Sequence, residues 1–137
     1  MKMKKVGVWL DKNVAHVVTL KNNTASLHSI SSNIEHYRPH GGSGTRLKGG
    51  PQDVVQDSKY LEREKHQLKQ YFKNIISEIK DTDAMVIFGP AETKEKFNKE
   101  MQTNYYRLST KIKGLKKADS MTNNQVIAWV KRFFKSS

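Results

Sequence analysis

Arg38, Arg46 and Lys48 stand among five glycines in the fifteen residues from Arg38 to Gln52, and no acid interrupts them. Cationic side chains on a stretch with almost nothing apolar to bury are suited to phosphate oxygens. Gly41, Gly42 and Gly44 let the backbone approach a polyanion closely and take φ > 0. The segment from about residue 37 to 57 is therefore expected to be a mobile basic loop that contacts nucleic acid. The plain alternative is a connector with no role.

Two further sets of cations follow. Lys59, Arg63, His66, Gln70 and Lys73 recur at helical spacing, opposite the apolar stripe of the same segment. Such a face is usually just solvated, but this one directly follows the loop and could track phosphates. Lys111, Lys113, Lys116 and Lys117 fall within seven residues, downstream of Tyr105 and Tyr106. Interleaved aromatic and basic residues stack bases and bind backbone, whereas the same tyrosines in a strand would pack in a core.

Other candidate chemistry is weak. Asp11 ends the first apolar segment, where a nuclease would need several converging carboxylates to hold Mg²⁺. Asp83, Glu92 and Asp119 sit in turns or at helix starts, so Asp11 reads as a turn former. The five histidines show no HxH or HExxH spacing, and there is no cysteine. The chain is expected to carry no metal site, no disulfide, no thiol chemistry and no cofactor. Gly89-Pro90-Ala91-Glu92 lacks the glycine fingerprint of a nucleotide loop and reads as a turn.

The whole-chain balance agrees with a polyanionic partner. A chain of 137 residues is one domain, taken as 1–137, with a net charge of +12. That charge is uneven: +4 over residues 1–34, +1 over 35–100 and +7 over 101–137. Concentration in the ends and one loop favours nucleic acid over general solubility. No apolar run approaches about 18 residues, and no helix has the pattern of an interfacial anchor, so no membrane partner is expected. The basic start lacks a cleavage site, which makes a signal peptide a poor reading and a cytoplasmic location the better one.

The elements that must hold these residues change period along the chain. Val6–Leu10, Val14–Leu20 and Thr24–Ile30 read as an antiparallel meander, with turns at Asp11-Lys12-Asn13 and Lys21-Asn22-Asn23. No period is visible from Ser31 to Asp57. Leu61, Leu68, Phe72, Ile75, Ile76 and Ile79 predict a helix from about Ser58 to Lys80. Ala84–Phe88 is a continuous apolar run, expected as a central strand. A helix over Ala91–Met101 and a strand over Tyr105–Ile112 follow. Thr122-Asn123-Asn124-Gln125 is a capping-box pattern opening a last helix, whose Val126, Ile127, Val130, Phe133 and Phe134 share a face. The order β-β-β-α-β-α-β-α predicts an α/β, ribonuclease-H-like domain. It would have a mixed five-stranded sheet and a long Gly-rich loop between the third strand and the first helix.

Three stretches carry a family resemblance: Val6-Gly7-Val8-Trp9-Leu10-Asp11, the Gly-rich loop leading to Arg63-Glu64-Lys65-His66, and Val86-Ile87-Phe88-Gly89-Pro90 entering a helix. With them the chain resembles the middle domain of eukaryotic and archaeal peptide release factors and of Pelota-type ribosome-rescue proteins. It is also similar to small prokaryotic translational machinery proteins of the same fold. In release factors the loop bears a Gly-Gly-Gln tripeptide that promotes hydrolysis of the peptidyl-tRNA ester. The match here is Gly49-Gly50-Pro51-Gln52, in which Pro51 splits the tripeptide. The resemblance therefore implies Gly49, Gly50 and Gln52 as catalytic residues of an ester hydrolase. It implies the ribosome, through rRNA, and tRNA as partners. The expected function is a translation factor in rescue, quality control or dormancy. The alternatives are a non-catalytic RNA-binding or protein-interaction module and, through Asp11, a nuclease.

Overall fold

The computed structural model describes residues 3–22, 24–33 and 50–136, with side chains outside 50–61 and 136. β1 (Lys5–Leu10), β2 (Val14–Lys21) and β3 (Thr24–Ser31) form the antiparallel meander. Local chemistry closes its turns. Asp11 Oδ1 accepts hydrogen bonds from the backbone N–H of Asn13 at 2.8 Å and of Val14 at 2.9 Å. Asn22, between β2 and β3, takes a φ of 54°, a left-handed conformation that asparagine tolerates better than most residues.

The chain then leaves the sheet through α1 (Gly50–Ile79) and returns as β4 (Ala84–Gly89), parallel to β1. It leaves again through α2 (Thr93–Asn104) and the one-turn α3 (Tyr106–Ser109), and returns as β5 (Ile112–Lys117), parallel to β4. Parallel neighbours cannot be joined by a tight turn, which is why helices separate them. α4 (Asn123–Ser136) follows. The sheet order is β3-β2-β1-β4-β5, so the fold is the expected mixed five-stranded, ribonuclease-H-like α/β arrangement.

Alternation along the central strands divides the core in two. Val6, Val8 and Leu10 of β1 and Met85 and Ile87 of β4 face α1 and α2, meeting Tyr71, Phe72, Ile75, Ile79, Phe97 and Met101. Trp9, Val86 and Phe88 face the other way, against Val126 and Val130 of α4. Because β4 is buried on both faces, it reads as an unbroken apolar run. Gly7 lets α4 settle on β1, since a Cβ there would overlap both γ-methyl groups of Val130. The capping box of α4 forms as expected: Thr122 N–H donates to Gln125 Oε1 at 2.8 Å, and Gln125 N–H donates to Thr122 Oγ1 at 3.2 Å.

Three boundaries differ from the sequence expectation. First, α1 starts at Gly50, eight residues before Ser58, so residues 50–57 are helix and not loop. Pro51 does not prevent this, because the first turn leaves its N–H groups without intrahelical partners and the ring presets a helical φ. Second, the last strand is Ile112–Lys117, not Tyr105–Ile112. Tyr106–Ser109 is instead a helical turn, locked by Ser109 Oγ donating to Tyr106 O at 2.6 Å and Thr110 Oγ1 donating to Arg107 O at 2.7 Å. β5 is an edge strand and half solvated, so it carries few of the apolar residues that announce a strand. Third, α2 runs from Thr93 to Asn104, two residues later at its start and three at its end than the apolar spacing indicates.

Candidate nucleic-acid interface

α1 is the element that organises the basic residues. Its 30 residues rise about 45 Å, well beyond the reach of an eight-residue strand. The side chains it packs on the sheet run from Leu68 to Ile79. Tyr71 among them is 1% exposed, and its hydroxyl donates to Asp11 O at 3.0 Å. Burial pushes the Tyr71 hydroxyl well above the usual phenol range, and the Asp11 carboxylate adds to this, so it stays protonated. This contact fixes the β1–β2 turn to the helix. Lys12 Nζ, 2.9 Å from Glu64, adds a second link.

On the opposite side Arg63, His66 and Lys73 are exposed, as their spacing predicts. Lys59 lies in α1, with its side chain outside the described residues. His66, Lys69, Gln70 and Lys73 form one wall of a groove of about 260 Å³, facing Glu100 of α2 and Tyr105. Tyr105 also lines a larger cavity of about 540 Å³, so the two depressions adjoin. That cavity lies between the end of α1 (Ile76, Lys80), Thr82 and the Tyr105–Leu108 corner, with Lys111. Sequence spacing did not single out Lys69, Lys80 or Arg107. Lys69 and Lys80 stand three and fourteen residues after His66, a helical spacing that was available; Arg107 depends on a corner that no periodicity announces.

The two tyrosines separate. Tyr105 is half-buried and packs on the α1–α2 core, whereas Tyr106 is 69% exposed. The lysine cluster separates too. Lys111 lines the cavity at the start of β5, while Lys117 pairs with Gly89 at the strand's other end, about 20 Å away. Lys113, Lys116 and Lys117 are exposed along the edge strand and line no part of the groove. Lysine on an edge strand also discourages pairing with another chain. Four lysines adjacent in sequence are thus not one patch.

Arg38, Gly41, Gly42, Gly44, Arg46, Lys48 and Gly49 lie outside the described residues, as does most of the expected loop. Gly50 and Gln52 lie in the first turn of α1. Asp11 uses its carboxylate in the β1–β2 turn, and no group of three metal-competent side chains forms among the described residues. A third cleft, of about 490 Å³, joins that turn to Pro90–Thr93 and Lys96, with acids and lysines mixed. No helix among the described residues is long and apolar enough to cross a membrane.

A mixed five-stranded sheet of this order with helices on both faces is an arrangement that solved structures of translation factors share. The chain is similar to the Pelota of Archaeoglobus fulgidus, with a TM-score of 0.58 and 10% identity, over 94% of this chain and 31% of that one. It is similar to the Pelota of Thermoplasma acidophilum, with a TM-score of 0.55 and 14% identity, over 98% and 32%. It is also similar to an archaeal translation termination factor, with a TM-score of 0.54 and 10% identity, over 97% and 39%. It spans about a third of the length of each. No family model and no curated protein matches the chain.

Proposed function

We propose that this protein is a translation factor that binds the ribosome or tRNA and acts in the cytoplasm, in rescue, quality control or dormancy. The observation that carries the reading is the fold likeness to Pelota and to a termination factor across 94–98% of the chain. The exposed cations of α1 and the net charge of +12 support an RNA partner. Contact would be made by the basic segment (Arg38, Arg46 and Lys48), by the outer face of α1 and by Lys111. Lys113, Lys116 and Lys117 would be secondary phosphate contacts along β5. Ester hydrolysis through Gly49, Gly50 and Gln52 is the less favoured reading, because it rests on a free loop tip and Gly50 and Gln52 are helical.

Co-sedimentation of the purified chain with ribosomes tests the proposal. Binding through phosphates releases counterions, so each neutralised phosphate adds about −0.7 to the log–log salt slope on single-stranded RNA. Association is expected to fall steeply between about 50 and 200 mM salt, and further in an Arg46→Gln/Lys48→Gln double variant. Association indifferent to salt would overturn it. Peptide release from stalled complexes that is abolished by Gln52→Ala would restore the hydrolytic reading.

A further inference from the structure

We infer that the 540 Å³ cavity between the end of α1 and the Tyr105–Leu108 corner is a binding site for a single nucleobase with its attached phosphate. The inference rests on the RNA-binding reading above and names a site within it. Its volume lies in the range of small-ligand pockets.

Three observations support that ligand. The first is an aromatic surface that the core does not use. Tyr106 is 69% exposed, while Ile76, Tyr105 and Leu108 provide apolar walls beside it. An exposed aromatic ring lining an apolar cavity offers a stacking surface for a base, and stacking of this kind tolerates any base. The second is charge. Lys80, Arg107 and Lys111 line the cavity and no carboxylate does, in contrast to the neighbouring groove with its Glu100. The pocket therefore favours an anion attached to the apolar group. The third is Thr82, which is 4% exposed and lines the same cavity. Its Oγ1 is buried and has no hydrogen-bond partner among the described residues. Buried hydroxyls are normally paired, so this one would gain a partner at the edge of a base once the side chain turns toward the cavity.

The corner is also preorganised. The side-chain bonds from Ser109 and Thr110 hold the turn that carries Tyr106 and Arg107. Lys111 O accepts from Met85 N–H at 2.9 Å, tying the corner to the central sheet. Little conformational freedom is then lost when a ligand enters.

The test uses the full chain, titrated with oligoadenylate and oligouridylate of about eight nucleotides and, separately, with adenosine and uridine 5′-monophosphate. Amide chemical shifts report the place, and fluorescence anisotropy of labelled oligonucleotide reports affinity. Shifts are expected at Thr82 and from Tyr106 to Lys111. Tyr106→Ala is expected to weaken oligonucleotide binding about tenfold with an unchanged salt slope, and Tyr106→Phe to retain it. Lys111→Gln is expected to reduce the slope by about 0.7. Much tighter binding of oligonucleotides than of monophosphates identifies the source as an RNA strand; equal binding identifies a free nucleotide, and either sustains the site. If RNA binds but Tyr106→Ala matches the parent and the shifts lie elsewhere, the pocket inference is overturned while the RNA reading stands. If the parent binds no RNA, that reading fails, and the monophosphate titration alone decides the pocket: shifts there sustain it, and none overturns it.

Discussion

Replacing Thr82 by valine removes one hydroxyl and keeps the β-branched shape. Thr82 is 4% exposed, its backbone N–H donates to Ile79 O at 3.1 Å, and its Oγ1 has no hydrogen-bond partner among the described residues. A buried polar atom left unsatisfied costs about 1–3 kcal/mol, and an apolar group of the same shape avoids that cost. Thr82→Val is therefore expected to raise the free energy of unfolding by about 1 kcal/mol or more. For a chain of 137 residues, about 2 cal/mol/K of unfolding entropy per residue converts this to about 3 °C or more in Tm. Urea unfolding followed by circular dichroism measures the first quantity and a thermal scan the second. The same variant should bind mononucleotide less well, so stability and affinity move in opposite directions. A loss of stability in Thr82→Val would refute the reasoning, because it would mean that the hydroxyl already has a partner in the free protein.

Two further outcomes follow from the core and from titration. Gly7→Ala places a methyl group inside the γ-methyls of Val130, and overpacking of this kind costs about 1–3 kcal/mol; Val130→Ala in the same chain should recover part of it in a denaturant titration. Burial lowers the pKa of His16 below its ordinary 6.5, with the Asp11 carboxylate partly opposing, so the unfolded chain binds the proton more readily. Its contribution is thus complete above about pH 6.5, declines as the pH falls below that value, and levels off once the folded-state pKa has been passed. Unfolding midpoints measured between about pH 8 and 4.5 should show this decline, and His16→Gln should flatten it. An unchanged pH profile in that variant would count against the burial argument.

Much of this fold was legible because period-2 and period-3.6 patterns are strongest where both are buried. β1, β4 and the second half of α1 each carry an apolar residue wherever the sheet needs one. The Thr122–Gln125 box could be read from residue types alone. The misreadings lie where tertiary context sets local structure. Gly50-Pro51 looks like loop chemistry, yet proline in a first helical turn costs nothing. Tyr105–Ile112 has strand-forming residues, but Ser109 and Thr110 bond back to carbonyls and wind it into a turn. Of the candidate interface, the α1 face was readable from spacing. The pocket was not, since Lys80, Thr82, Arg107 and Lys111 meet only after β4 and β5 have paired. Lysines close in sequence stand apart in space for the same reason: a strand spreads its residues along its length and over two faces.

The central claim is tested most directly by ultraviolet crosslinking of the full-length chain in living cells, followed by sequencing of the RNA attached to it. The account predicts enrichment of ribosomal RNA or tRNA, reduced when Arg46, Lys48 and Lys73 are replaced by glutamine. Recovery of no RNA above background, or of coding RNA in proportion to its abundance, would contradict it.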